Sequence, residues 1–381
     1  MKVYSILLFS VAILLFAPCR PVFAQEELQL MSESTVLMDA KSGQILYGRN
    51  ETEKMNPASI TKIATAIYAI EHSNLDEQVT ISEQATMVEG TRVYLEVGEV
   101  VTMEKLLTGM IMNSGNDNDA AVAIAEHIDG SVAQFSKHIN KYLTDTIGVT
   151  NTHFENPNGL YNKNHYTTAA DMAKITKYAL ANDTFRKIFG MKEYHWDGQS
   201  WHTTLLTHHR LLKGEFPYET ATITGGKNGF INEAGFTLVT TAKKDNLELI
   251  AVTMKTNFKD APYSDTIQLL DYGFKNFTSE MIPKGTIFTK DGKKYMVEED
   301  LFYTMKNGQV YKQTIDTDGV LHIEDNNTDH LSVSFPLHPL NTPEPANKDD
   351  QGILATVMDR FLHYLSGVLI PTTGIAYLFH F

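Results

Sequence analysis

Only one cysteine occurs among the 381 residues, Cys19, and it sits in an apolar segment near the start of the chain. Everything after that segment lacks a thiol nucleophile, a disulfide and a thiolate metal ligand, so stability has to come from a packed core. Positive charge is also scarce. The chain carries 32 Lys and Arg against 46 Asp and Glu, a net charge of −14, and no long basic run. That balance repels a phosphate backbone, and no nucleic-acid partner is expected. No H-E-x-x-H motif is present, and His195, His202, His208 and His209 cluster without metal-site spacing, so neither a metal nor any other cofactor is expected. The apolar run Ile6 to Ala17 is shorter than the ~20 residues of a bilayer-spanning helix. With Lys2 before it and Val22-Phe23-Ala24 after it, residues 1–24 read as an export signal cleaved after Ala24. Loss of Lys2 and Arg20 would take the net charge from −14 to −16.

What is present is an ordinary apolar fraction, 43%, on a chain long enough for two or three domains. The chain is organised around Pro57-Ala58-Ser59-Ile60-Thr61-Lys62. Proline suits the first turn of a helix, where its missing N–H would have no intrahelical partner. Ile60, Ile63, Ala64, Ile67 and Ile70 then recur at helical steps, which predicts a helix with one buried stripe. Residues three apart share a face, so Ser59 and Lys62 can touch beside the free N–H groups of the helix start. A lysine sunk in an apolar helix has its neutral amine favoured by desolvation and can accept the serine proton. The pair reads as an activated nucleophile and its base.

Upstream, Ser34 to Ala40 and Gln44 to Tyr47 flank the turn Lys41-Ser42-Gly43 and predict a hairpin. Downstream, an apolar helix carrying Leu106, Leu107, Met110 and Ile111 leads to Asn113-Ser114-Gly115-Asn116, with a second helix from Ala120 to His127. On a loop between helices Ser114 could protonate a leaving amine, and Asn116 could hold a substrate amide and orient Lys62. Asp117, Asp119 and Asp171 read as caps and as surface or helix-end charges. Gly235 to Ala242 and Leu247 to Met254 flank the turn Lys243 to Asn246 and predict two antiparallel strands. Before them, Thr224-Gly225-Gly226-Lys227-Asn228-Gly229 has glycines that let a ligand's backbone lie along a strand edge, where Lys227 could meet a carboxylate.

Ser59-x-x-Lys62, Ser114-x-Asn116 and Lys227-x-Gly229 follow in that order, 55 and 113 residues apart. This set resembles the motifs of penicillin-binding proteins and class A β-lactamases. Ala40 to Gly43, Gly90 to Glu99, Asn113 to Glu126, Asn156-Pro157-Asn158-Gly159-Leu160, His165 to Ala169 and Ala234-Gly235-Phe236 narrow the resemblance to the low-molecular-weight serine D-alanyl-D-alanine carboxypeptidases, over about residues 30–280. The resemblance implies the α+β serine β-lactamase/transpeptidase-like fold, an antiparallel sheet flanked by helices with a helical subdomain beside it. It implies that Ser59 attacks the penultimate D-alanine carbonyl of a peptidoglycan stem peptide while Lys62 takes its proton. Ser114 would protonate the departing D-alanine, Asn116 would position the substrate, and β-lactams would acylate the same serine. Lys227 and Arg210, the latter in His209-Arg210-Leu211-Leu212, would attract the terminal carboxylate, for which a guanidinium fork is suited. The N–H groups of Ser59 and Phe230 would form the oxyanion hole. The family's third motif is usually Lys-Thr-Gly. Here Asn228 stands in the middle and Ile231 where a second threonine is common, so the substrate contacts differ. A D,D-endopeptidase of the same fold and a degenerate cell-wall binding protein are the alternatives.

Residues 281–338 alternate short β-rich pieces with turns such as Lys290-Asp291-Gly292 and predict a small β-rich domain after a catalytic domain at 25–280. Residues 339–351 form a Pro/Asn/Asp-rich linker. In 352–381, Ile353, Leu354, Val357, Met358, Phe361, Leu362, Leu365 and Leu369 share one helical face, opposite Asp359, Arg360, His363 and Ser366. That pattern predicts an amphipathic anchor lying on a membrane surface, which would hold the exported enzyme peripherally at the outer face of the cytoplasmic membrane.

Overall fold

The computed structural model describes residues 28–89, 93–112, 118–199, 201–325 and 331–340. The expected export signal at 1–24, residues 113–117 with Ser114 and Asn116, residues 341–351 of the expected linker and the expected anchor at 352–381 lie outside the described residues.

Two compact units are formed. The first comprises residues up to Glu280 together with Phe302–Val310 and Asp325–Leu331. Its sheet begins with the expected hairpin, β1 (Ser34–Asp39) and β2 (Ile45–Arg49), and is completed by β3 (Thr222–Ile231), β4 (Gly235–Lys244) and β5 (Leu247–Thr256). The order is β2-β1-β5-β4-β3, antiparallel throughout. Strand alternation divides β1 between two layers. Val36 and Met38 join the main core cluster, while Leu37 packs at Gly273 of the helix Ala261–Asn276.

The apolar run after Pro57 forms α1 (Lys62–His72), with Ile63, Ala64 and Ile67 fully buried and Ile70 partly so. It packs into one cluster with α2 (Met103–Met112), α3 (Asn118–Asp129), α4 (Val132–Tyr142) and α5 (Ala169–Leu180). The predicted pair of apolar helices on either side of residues 113–117 corresponds to α2 and α3. Thr224 to Gly229 lies within β3 itself, a third long strand whose glycines lowered its apparent β-propensity.

A single boundary near residue 280 does not describe the first unit. Thr304 donates its hydroxyl to buried Asp39 Oδ2 at 2.7 Å and its N–H to Gln44 Oε1 at 2.6 Å, which satisfies polar groups at the β1–β2 turn. Local composition does not reveal such a pairing. The second unit, Met281–Leu301, Tyr311–Glu324 and Ser332 onward, contains two three-stranded sheets. In one, Lys293–Met296 is the central strand, and in the other Val320–Asp325; Tyr295, Leu321 and Ile323 are buried. Among the described residues no helix is long and apolar enough to cross a membrane.

Candidate active site

Ser59 occupies a tight 3-10 turn, Ala58–Thr61, that runs directly into α1. The sequence predicts a regular helix from Pro57, but local tethers set a different path. Asn56 Oδ1 accepts the Ala58 N–H at 2.9 Å, Thr237 donates its hydroxyl to the Pro57 carbonyl at 2.9 Å, and Thr61 donates to the Ala58 carbonyl at 2.8 Å. Ala58 takes φ +50°, the left-handed region that a residue with a Cβ enters only when its surroundings enforce it. The residue before the serine is therefore strained.

Ser59 is 4% exposed and Lys62 is wholly buried, and Lys62 Nζ donates to Ser59 Oγ at 3.3 Å. Strand β3 approaches from the sheet side. Lys227 is also wholly buried, and its ammonium donates to the Asn228 carbonyl at 3.1 Å. Asn228 is half-buried, and the Phe230 ring is exposed against Phe236 at a centroid distance of 4.4 Å. A Cβ on Gly229 would stand 2.7 Å from the Ser59 nitrogen, so strand and nucleophile meet only because residue 229 has no side chain.

Arg210 begins the short helix Arg210–Lys213, where His209 caps by accepting the Leu212 N–H. Its guanidinium stacks on Phe216, donates through Nε to Glu215 at 2.8 Å, and pairs with Asp260. Arg210, His208, Lys213, Asn228, Gly229 and Tyr263 line one cavity of about 310 Å³. Arg210 and Asn228 thus share a cleft, but two carboxylates already compete for the arginine.

The histidines fill separate places. His202 pairs with Asp197, and His209 is buried with Nε2 donating to Thr240 Oγ1 at 2.9 Å. A Cβ on Gly226 would come within 2.2 Å of that ring. Burial pushes the His209 imidazole down to about 3, so it is neutral.

Asp119 and Asp171 open helices as expected, but neither is a surface charge. Asp171 is 4% exposed and accepts from the Asn151 N–H and the Thr152 hydroxyl at 2.8 and 2.9 Å. Asp119 is fully buried and accepts N–H groups from Ala120 at 2.8 Å, Val93 at 3.3 Å and Leu95 at 3.4 Å. Burial raises its carboxyl pKa, against the lowering pull of those N–H groups and of the Lys62 charge. Between the two strapped amides Tyr94 takes φ +56° and is exposed, its ring edge-on to Trp201 at 5.0 Å. The neighbouring Asn118 is buried, with Nδ2 on the Glu89 carbonyl at 2.6 Å and Oδ1 without a partner among the described residues. From the sequence, neither Asn118 nor His165 takes a role at the site: Asn118 reads there as part of a helix cap, and His165 only opens the stretch His165 to Ala169 that carries the resemblance.

With this geometry in hand, the chain belongs to the D-alanyl-D-alanine carboxypeptidase family of serine peptidases, which it matches over residues 21–257. It is 32% identical to the D-alanyl-D-alanine carboxypeptidase DacF of Bacillus subtilis, over 78% of each chain. Penicillin-binding protein 5 of Haemophilus influenzae superposes with a TM-score of 0.72 at 26% identity, over 83% of this chain and 98% of that one. The Streptomyces K15 DD-transpeptidase, in a point-mutant form, gives 0.60 at 28% identity, over 65% of this chain and all of that one. The fold is the penicillin-binding-protein/transpeptidase fold, with an additional β-rich region after it.

Proposed function

We propose that the chain trims the terminal D-alanine from peptidoglycan stem pentapeptides, acting as a serine-type D-alanyl-D-alanine carboxypeptidase. The observation that carries the reading is the Ser59 Oγ to Lys62 Nζ contact at 3.3 Å, set against the β3 edge at Gly229. In the neutral state Lys62 takes the hydroxyl proton as Ser59 Oγ attacks the penultimate D-alanine carbonyl. A general base so placed contributes about 10²–10⁴ in rate. The oxyanion is received by the Ser59 and Phe230 N–H groups, each worth about 10²–10³. Collapse breaks the peptide bond as Ser114 passes its proton to the departing D-alanine amine and takes in return the proton that Lys62 received, which leaves an ester on Ser59 and Lys62 neutral again. Water then attacks the ester as Lys62 takes its proton and returns it to the departing Ser59 oxygen, releasing the shortened peptide. Asn116 holds the substrate amide. Lys227, Asn228 and Gly229 line the path of the substrate backbone; Lys227 draws its terminal carboxylate, and Arg210 joins it by exchanging Asp260 or Glu215 for the substrate.

A β-lactam carbonyl would take the substrate's place and acylate the same serine. The intact mass of the protein after benzylpenicillin tests the reading, with Ser59→Ala alongside. One adduct, lost in the variant, is expected, and no adduct on the wild type would move the binding-protein alternative ahead. Residues 1–24 as an export signal and 352–381 as a peripheral membrane anchor are part of the same proposal and rest on their sequence patterns. Deletion of 352–381 should release active protein from membranes, and continued sedimentation would refute the anchor.

A further inference from the structure

The peptide that joins Ala58 to Ser59 is held from the carbonyl side by a chain of buried groups ending at His165. Glu155 donates its N–H to His165 Nδ1 at 3.1 Å, which fixes the neutral ring with its proton on Nε2. Nε2 lies 2.9 Å from Thr61 Oγ1, and the Thr61 hydroxyl donates to the Ala58 carbonyl at 2.8 Å. Each donor faces an acceptor, so the direction of the whole chain is determined. Both side chains are buried, at 1% and 0% exposure, and Phe154 stacks on the imidazole at 4.9 Å. The segment bearing His165 is tied to the same turn, since its carbonyl accepts from Asn56 Nδ2 at 3.1 Å.

A trans peptide is planar, with its C=O and N–H pointing in opposite directions. Fixing the Ala58 oxygen therefore aims the Ser59 N–H. We infer that His165, acting through Thr61, is a positioning residue that points the Ser59 N–H at the developing oxyanion. This rests on the carboxypeptidase reading, because it assigns a task to the same site. The left-handed Ala58 explains why a tether is required: its φ of +50° is an unfavourable geometry that would relax if the carbonyl were released, and the N–H would turn with it.

Two substitutions separate the two hydrogen bonds of the ring. His165→Asn keeps an acceptor near the Nδ1 position for the Glu155 N–H and removes the donor to Thr61. His165→Gln keeps a donor near the Nε2 position and removes the acceptor. Each loses one buried hydrogen bond, so a purely structural histidine predicts similar losses of Tm and of acylation rate in both. The positioning role predicts that the full-length His165→Asn protein is acylated by benzylpenicillin about 10–100-fold more slowly, the scale for misaimed catalytic groups. His165→Gln should stay within about threefold of wild type at a comparable Tm. Thr61→Val should follow the asparagine variant and Thr61→Ser the glutamine one. With a diacyl-lysyl-D-alanyl-D-alanine peptide the loss should fall on kcat rather than KM, because the oxyanion exists only after attack. Equal rates in the Asn and Gln variants, or a rate loss that only tracks lost folded protein, would overturn the inference and leave the carboxypeptidase reading intact. A wild type that forms no adduct would overturn both.

Discussion

Gly159 and Gly229 close on the two ends of one peptide unit. A Cβ on Gly159 would fall 1.9 Å from the Ala58 oxygen, and one on Gly229 2.7 Å from the Ser59 nitrogen. Gly159 also sits at φ +88°, so alanine there is strained as well as crowded. Gly159→Ala should lower Tm by several degrees, through a destabilisation on the order of 2–3 kcal/mol, and should also slow acylation, because the clash displaces the Ala58 carbonyl and turns the Ser59 N–H with it. Gly229→Ala carries no such φ penalty and should cost less Tm but as much acylation or more, because its methyl group would crowd the Ser59 nitrogen and the Thr237 hydroxyl and push the β3 edge away from the nucleophile. Thermal melts and benzylpenicillin adduct rates on the two proteins distinguish these outcomes.

Asp119 tests how far the strap on Val93 and Leu95 matters. Its two oxygens take N–H groups that flank strained Tyr94, and its charge lies within electrostatic reach of Lys62. Asp119→Asn turns an NH₂ toward a backbone N–H that needs an acceptor. A loss of about 1–3 kcal/mol in urea unfolding is expected, with slower acylation. A fully active, equally stable variant would show that the carboxylate does no more than fill space.

Acid should weaken the folded state through two histidines. Burial pushes His165 and His209 down to about 3 in the fold, against roughly 6.5 in the unfolded chain. The unfolded chain therefore binds more protons between those values. Their full contribution is present above about pH 6.5 and is lost as pH falls toward 3, by on the order of 2–3 kcal/mol each at pH 4.5. His209→Asn keeps an acceptor for the Leu212 N–H, as an asparagine cap would. Urea unfolding at pH 7 and pH 4.5 should show a smaller acid penalty for this variant than for wild type.

Asn228 replaces a hydroxyl with a longer carboxamide on the cavity wall that also bears Arg210. A contact from Asn228 to the substrate's terminal carboxylate, as proposed, would exist before and during attack and would contribute uniform binding. Asn228→Ala should raise KM about tenfold and leave kcat within a factor of two. A fall in kcat at constant KM would place Asn228 at the reacting centre instead.

Much of the fold was legible because periodicity is local. The hairpin β1–β2, the buried stripe of α1 and the strand pair β4–β5 each follow from residues within a few positions of one another. Strand β3 was harder to read, since Gly225, Gly226 and Gly229 dilute its β-propensity for reasons that lie elsewhere: Gly226 for the His209 ring and Gly229 for Ser59. Arg210 was expected to be available to a carboxylate, and its pairing with Asp260, fifty residues on, could not be read from its neighbours.

The sequence by itself determined that Ser59 and Lys62 would meet, because three residues along a helical turn put two side chains on one face whatever surrounds them. It also determined the buried stripes and the strand pairs, which rest on the same short-range rules. Only the tertiary structure decided the 3-10 start of the helix, the strained Ala58 and the neutral, singly directed His165. Those depend on which distant group satisfies each buried donor and acceptor. Thr237, His165 and Gly159 reach the Ser59 turn from segments about a hundred or more residues away, and no local pattern encodes such partners.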